Sequence, residues 1–73
     1  MVQQQQGLPP SLAILRLPSV KGRTGLSRST IYLRVSEGTF PKPVSLGGRA
    51  VGWVESEIQQ WLERRIEASR KTG

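Results

Sequence analysis

Cysteine, histidine and aspartate are all absent from this 73-residue sequence. Without cysteine there is no disulfide framework and no thiolate metal site. Without histidine and aspartate the common zinc ligands, the Ser-His-Asp arrangement and the usual general base at neutral pH are gone as well. The acids that remain are five glutamates. Those of the C-terminal stretch, Glu55, Glu57, Glu63 and Glu67, have no metal partner and no room for a cleft in so short a chain, so they read as a solvated face. No enzyme and no cofactor is expected. No apolar run is long enough to span a bilayer and no signal-peptide pattern occurs, so a cytoplasmic protein is expected.

Basic charge is plentiful, with a formal net charge of +6. From Arg16 to Val54 there are seven bases (Arg16, Lys21, Arg23, Arg28, Arg34, Lys42, Arg49) against one acid, Glu37, whereas the four acids after Val54 are balanced by Arg64, Arg65, Arg70 and Lys71. Concentrated positive charge attracts phosphate backbones and anionic membranes alike. The charge-balanced polar face of the last segment argues against attachment to a membrane through it.

The length allows one small domain. Residues 1–11, with a glutamine tract and two consecutive prolines, read as a disordered leader that cannot bury enough apolar surface to offset its ordering entropy. Residues 12–73 hold the domain. Leu12 to Leu17 is a short apolar stretch that permits a strand, ended by Pro18, and pairing with a later hairpin is one option for it. Ser19 suits the N-cap of a short helix, Val20 to Thr24, closed at Gly25. Leu26 points inward from the turn. Ser27 caps a second helix, Arg28 to Glu37, which stops at Gly38. With Ile31 inward and Val35 beside it, Ser29, Thr30, Leu33, Ser36 and Glu37 face out, Tyr32 lies at the edge, and Arg28 and Arg34 sit at the flanks.

After the extended connector Phe40-Pro41-Lys42-Pro43, the residues Val44-Ser45-Leu46, Gly47-Gly48 and Arg49-Ala50-Val51 carry a hairpin signal. A turn at Gly47-Gly48 would set Leu46 opposite Arg49 and Val44 opposite Val51. Gly52-Trp53 leads into a last helix, Val54 to about Arg70. There Val54, Ile58, Trp61, Leu62 and Ile66 form one apolar stripe that closes the core. Trp61, Trp53 and Phe40 read as core rather than as stacking platforms for bases.

A helix, a glycine turn and a second helix occur in many small domains, and alone they imply only an amphipathic pair. The second helix here is rich in hydroxyl and guanidinium groups, which hold phosphates and read guanine edges, and a basic hairpin follows it. Together these point to a mainly α fold with a small β-hairpin, a winged helix-turn-helix that binds double-stranded DNA. The candidate contact residues are Ser27, Arg28, Ser29, Thr30, Tyr32 (through its hydroxyl) and Arg34 on the second helix, Lys42 in the connector, and Arg49 at the hairpin tip. Lys21 and Arg23 are equally well explained as solvated charges. For Leu33 two placements stay open: against a thymine methyl in the major groove, or packed beneath the following loop. A competing function is a protein-interaction module that docks through the last helix.

The segments Gly25-Leu26-Ser27-Arg28-Ser29-Thr30-Ile31-Tyr32, Glu37-Gly38-Thr39-Phe40-Pro41-Lys42-Pro43, Leu46-Gly47-Gly48-Arg49-Ala50-Val51-Gly52-Trp53 and Glu57 through Leu62, taken in order, resemble the AlpA family of small prophage-type transcriptional regulators, within the wider excisionase-like and MerR-like group. The likeness covers about Leu17 to Arg65. It implies a nucleoid-associated regulator whose second helix enters the major groove while the hairpin meets the backbone or minor groove. It also implies possible company: a homodimer or cooperative multimer on DNA, or a recombinase if the role is that of an excisionase-like DNA-bending directionality factor. Many family members carry a basic or polar residue where Leu33 stands, so no base contact is carried over to that position.

Overall fold

The computed structural model describes residues 12–72; the leader read as disordered lies outside them. The elements run β1 (Ile14–Leu15), α1 (Leu17–Thr24), α2 (Arg28–Glu37), β2 (Val44–Gly47), β3 (Ala50–Val54) and α3 (Glu55–Thr72). The three strands form an antiparallel sheet in the order β1-β3-β2. This is the winged helix-turn-helix architecture expected, with β1 added to the hairpin as a third strand.

The first helix begins earlier than the sequence suggests. Its N-cap is Arg16, in an extended conformation and with no side-chain cap, and Pro18 falls in the first turn. Proline is tolerated there because its missing N–H has no intrahelical acceptor in any case. Ser19 is therefore inside the helix and not its cap, and Pro18 opens a helix where a strand was expected to end. The strand shrinks accordingly to Ile14 and Leu15, paired with Val54 and Trp53 of β3. Arg16 extends this edge by side chain, its Nε donating to the Val51 carbonyl at 2.9 Å.

The turn into α2 follows the expectation. Gly25 takes φ 74°, a left-handed conformation that costs a glycine nothing, and its N–H donates to the Lys21 carbonyl at 2.8 Å. Thr24 braces the same turn: its hydroxyl donates to the Val20 carbonyl and accepts from the Leu26 N–H. Leu26 packs, half-buried, against the core.

The hairpin register differs from the expected one. Ser45 pairs with Val51 and Val44 with Gly52, while Gly47 pairs with Ala50, so Leu46 is the extra residue of a bulge and the tight turn is Gly48-Arg49. The sequence contains two adjacent glycines, and both adopt positive φ, 107° and 56°. That freedom lets one glycine end the strand and the other open the turn, so the turn sits one residue later than a Gly-Gly loop would place it. The second strand of the hairpin, β3, also runs on through Trp53 to Val54, and Val54 was expected to begin the last helix. The first amide of α3, on Glu55, is satisfied instead by the Ala13 carbonyl at 2.8 Å.

Gly52 is fixed by close approach. A Cβ there would collide with the Ile14 side chain and lie 3.1 Å from the Leu15 carbonyl oxygen and 3.3 Å from Leu46 Cδ1.

The core consists of Val20, Ile31, Phe40, Trp53 and Ile58, one or more from each helix plus β3 and the connector. Full burial of each such side chain contributes about 1.5–3 kcal/mol. Both tryptophans use their one polar atom to hold the connector. Trp53 Nε1 donates to the Pro41 carbonyl at 2.9 Å and Trp61 Nε1 to the Thr39 carbonyl at 2.8 Å. Phe40 packs edge-on to Trp61, with ring centroids 4.8 Å apart. Trp61 and Leu62 are half-buried against the core, but the stripe does not continue to Ile66, which is 48% exposed. The C-terminal part of α3 runs on past the body it closes.

Candidate nucleic-acid interface

The second helix is seated chiefly by Ile31, with Tyr32 and Val35 packed half-buried against the core. Ile31 is fully buried, and the rest of α2 is half-buried or exposed. Ser27 caps it: the hydroxyl accepts from the Thr30 N–H at 3.2 Å and donates to Thr30 Oγ1 at 3.0 Å. Ser29 Oγ is 3.3 Å from the same hydroxyl. At the other end Gly38, at φ 79°, turns its N–H back to the Val35 carbonyl at 3.1 Å, and the Thr39 N–H reaches the Arg34 carbonyl at 2.9 Å.

The candidate residues fall into three places. Ser27, Arg28, Ser29 and Tyr32 line one shallow concavity at the start of α2. Within it the Arg28 guanidinium lies over the Tyr32 ring, 5.4 Å from its centroid. Tyr32 in turn meets Trp53 edge-on at 6.0 Å, so the arginine is steered by a ring that is itself anchored in the core. Thr30 is tied to Ser27. Arg34 lies on the opposite flank of the helix, half-buried, with its Nε buried and unpaired among the described residues.

Lys42 belongs to a second place, a groove between the connector and α3 that also takes in Glu57, Gln60, Trp61 and Arg64. Arg49 occupies a third, exposed in the turn of the hairpin. Of the two placements open to Leu33, burial beneath the loop is not realised: the side chain is 57% exposed.

Electrostatics separates these bases from one that is spent structurally. Arg23, which sequence alone left open between a solvated charge and a phosphate contact, donates to Glu55 Oε2 at 2.9 Å and lies 3.4 Å from Gln59 Oε1, joining α1 to α3. With both partners about one-third exposed, such a pair is worth about 0–1 kcal/mol. Among the described residues Arg28, Arg34, Lys42 and Arg49 have no acidic partner. Arg28, Lys42 and Arg49 are exposed, on one helix, one connector and one hairpin tip, whereas Arg34 is half-buried.

Two of the contacts that the sequence reading did not contain differ in how far they were within reach. The Arg28–Tyr32 contact was within reach, since the two are one helical turn apart. The bond from Arg16 to the Val51 carbonyl was not, because it spans elements far apart in the chain. No helix among the described residues is long and apolar enough to cross a membrane.

Residues 13–66 match the family model described as prophage CP4-57 regulatory protein (AlpA). The chain is 44% identical over 63 residues to the DNA-binding transcriptional activator AlpA of Escherichia coli (strain K12), covering 78% of this chain and 90% of that protein. It is 52% identical over 59 residues to the uncharacterized protein ORF88 of Enterobacteria phage P4, covering 81% of this chain and 66% of that protein's length. The match spans both helices of the helix-turn-helix, the hairpin and the packed part of α3. This chain belongs to the AlpA family of prophage regulatory proteins.

Proposed function

We propose that this chain is a sequence-specific, non-enzymatic regulator of transcription that binds double-stranded DNA. The helix α2 lies in the major groove, with Ser27, Arg28, Ser29, Thr30, Tyr32 and Arg34 as its contact residues. The hairpin rests on the backbone or minor groove through Arg49, and Lys42 adds a phosphate contact from the connector. The observation that carries this reading is the basic charge of Arg28 and Arg49, exposed and without an acidic partner among the described residues, on a helix and a hairpin turn. The name of the Escherichia coli relative, a DNA-binding transcriptional activator, supports it.

Binding of this kind releases counterions, so affinity for random duplex falls steeply with salt. An electrophoretic mobility shift on random-sequence duplex at low and moderate salt tests it. Retardation that weakens as salt rises is expected, and no retardation at low salt overturns the reading. Selection from a random duplex pool then identifies the site.

The exposed end of α3 favours one addition. Ile66 stands clear of the core, among Glu63, Arg64, Glu67, Arg70 and Lys71. This offers a contact between neighbouring copies on DNA, and cooperative retardation that is lost on Ile66→Ser tests it.

A further inference from the structure

We infer that Leu33 is a specificity-determining residue that reads the 5-methyl group of a thymine in the DNA site. The inference rests on the proposed placement of α2 in the major groove.

Leu33 is the most exposed of the large apolar side chains among the described residues, at 57%. Others have apolar company: Ile14 and Leu46 both approach Gly52, one from each neighbouring strand. Leu33 stands instead on the outward side of α2, one helical turn from Ser29 and from Ser36, with Arg28 and Arg34 at the flanks. Water is a poor environment for it, and no described residue covers it.

The hydroxyls around it are largely committed. Ser36 Oγ donates to the Leu33 carbonyl at 2.6 Å. Ser27 and Thr30 are bonded to each other in the cap, with Ser29 3.3 Å from Ser27. The middle of this face therefore offers an apolar contact more readily than a new hydrogen bond. In the major groove the apolar feature of a base edge is the thymine methyl, and cytosine lacks it. A protein partner on the same spot fits less well. One leucine between two arginines is far smaller than a stable protein interface requires, whereas the flanking cations suit phosphates on either side of a groove.

The test uses the full chain and the duplex recovered by selection. Each thymine is replaced in turn by deoxyuridine, which removes the methyl and keeps every hydrogen-bonding group. Affinity is read by fluorescence anisotropy for the natural chain and for Leu33→Ala, whose exposed position leaves folding intact by circular dichroism. At one or two thymines the natural chain should lose affinity about three- to tenfold, the scale of burying one methyl group. Leu33→Ala should bind the thymine and uracil versions equally well. Uracil tolerated at every position, a recovered site without thymine, or methyl sensitivity unchanged in Leu33→Ala each overturns the inference while leaving DNA binding in place. Failure of the natural chain to bind any duplex overturns the proposed function itself, and the inference with it.

Discussion

The helices α2 and α3 follow opposite rules of composition. The last helix carries Glu55 and Glu57 in its first turn and Arg70 and Lys71 in its last, so its charges complement the helix dipole. Gln59 bonds to Glu63 one turn on, at 3.1 Å. The second helix has no acid in its first turn, where Arg28 stands, and it ends on Glu37; Arg34 alone agrees with the dipole. Each opposed charge forgoes a few tenths of a kcal/mol, and α2 buries one side chain fully, Ile31. The Ser27 cap, the Gly38 terminus, that anchor and the half-buried Tyr32 and Val35 hold it. The sequence of α3 serves the helix and the core, whereas that of α2 fits the DNA contact proposed for it.

The contrast breaks most readily at Ile58, the fully buried residue of α3. Ile58→Ala should cost roughly 2–5 kcal/mol. That is most of what a domain of this size has to lose, so urea unfolding should find the variant largely unfolded before much denaturant is added. Retained stability with impaired DNA binding would make α3 a contact helix and erase the distinction.

At Arg28 in α2 the expected loss falls on binding. If the guanidinium reads a guanine, Arg28→Ala should cost roughly 1–3 kcal/mol on the selected site and much less on random duplex. Its contact with Tyr32 is worth about 0.5–1 kcal/mol, so stability should change little. Equal losses on both duplexes would make it a phosphate clamp and shift base reading to Ser29 and Thr30.

Most of this division was legible in the sequence, because it depends on local rules. Ser27 with Gly25 and Gly38 delimits α2, and spacing puts Ile31 in, while the choice between the two placements of Leu33 needed its exposure in the structure. What escaped depends on contacts between distant segments. Pro18 is compatible with ending a strand or opening a helix, and the pairing of Ile14 and Leu15 with β3 decides it. The periodic stripe of α3 runs to Ile66, but periodicity says nothing of where the rest of the domain stops. A Gly-Gly pair announces a turn without fixing its register, and the bulge at Leu46 moved it by one residue. The candidate contacts were read from residue type. The structure adds that Ser27, Arg28, Ser29 and Tyr32 share one concavity, while Lys42 and Arg49 lie elsewhere.

A smaller effect sharpens how α2 is held. Ser27→Ala removes the acceptor of the Thr30 amide and should cost about 1 kcal/mol, the usual scale for a lost N-cap. Differential scanning calorimetry should show the midpoint lowered by several degrees. At the start of α3 the Glu55 N–H is satisfied instead by the backbone carbonyl of Ala13. A midpoint that does not shift for Ser27→Ala would mean that Ile31 and the packed hairpin alone fix the helix.

The smallest effect is expected at Arg49, and it separates holding from reading. The side chain stands in a two-residue turn entered through two glycines at positive φ, exposed and without an acidic partner among the described residues. A cation presented that way can neutralise a phosphate but has no fixed orientation from which to choose a base. Arg49→Ala should therefore weaken binding about equally on selected and random duplex. The slope of log affinity against log salt should become shallower by about 0.9, one phosphate's worth. Arg65, an exposed arginine of α3 outside the candidate interface, is the matched control. Arg65→Ala should leave the slope unchanged. If the two arginines prove equivalent in salt dependence, the hairpin is no more a DNA-holding element than the last helix is. If Arg49→Ala loses affinity for the selected site alone, the hairpin tip reads sequence, and recognition is shared between the groove helix and the wing.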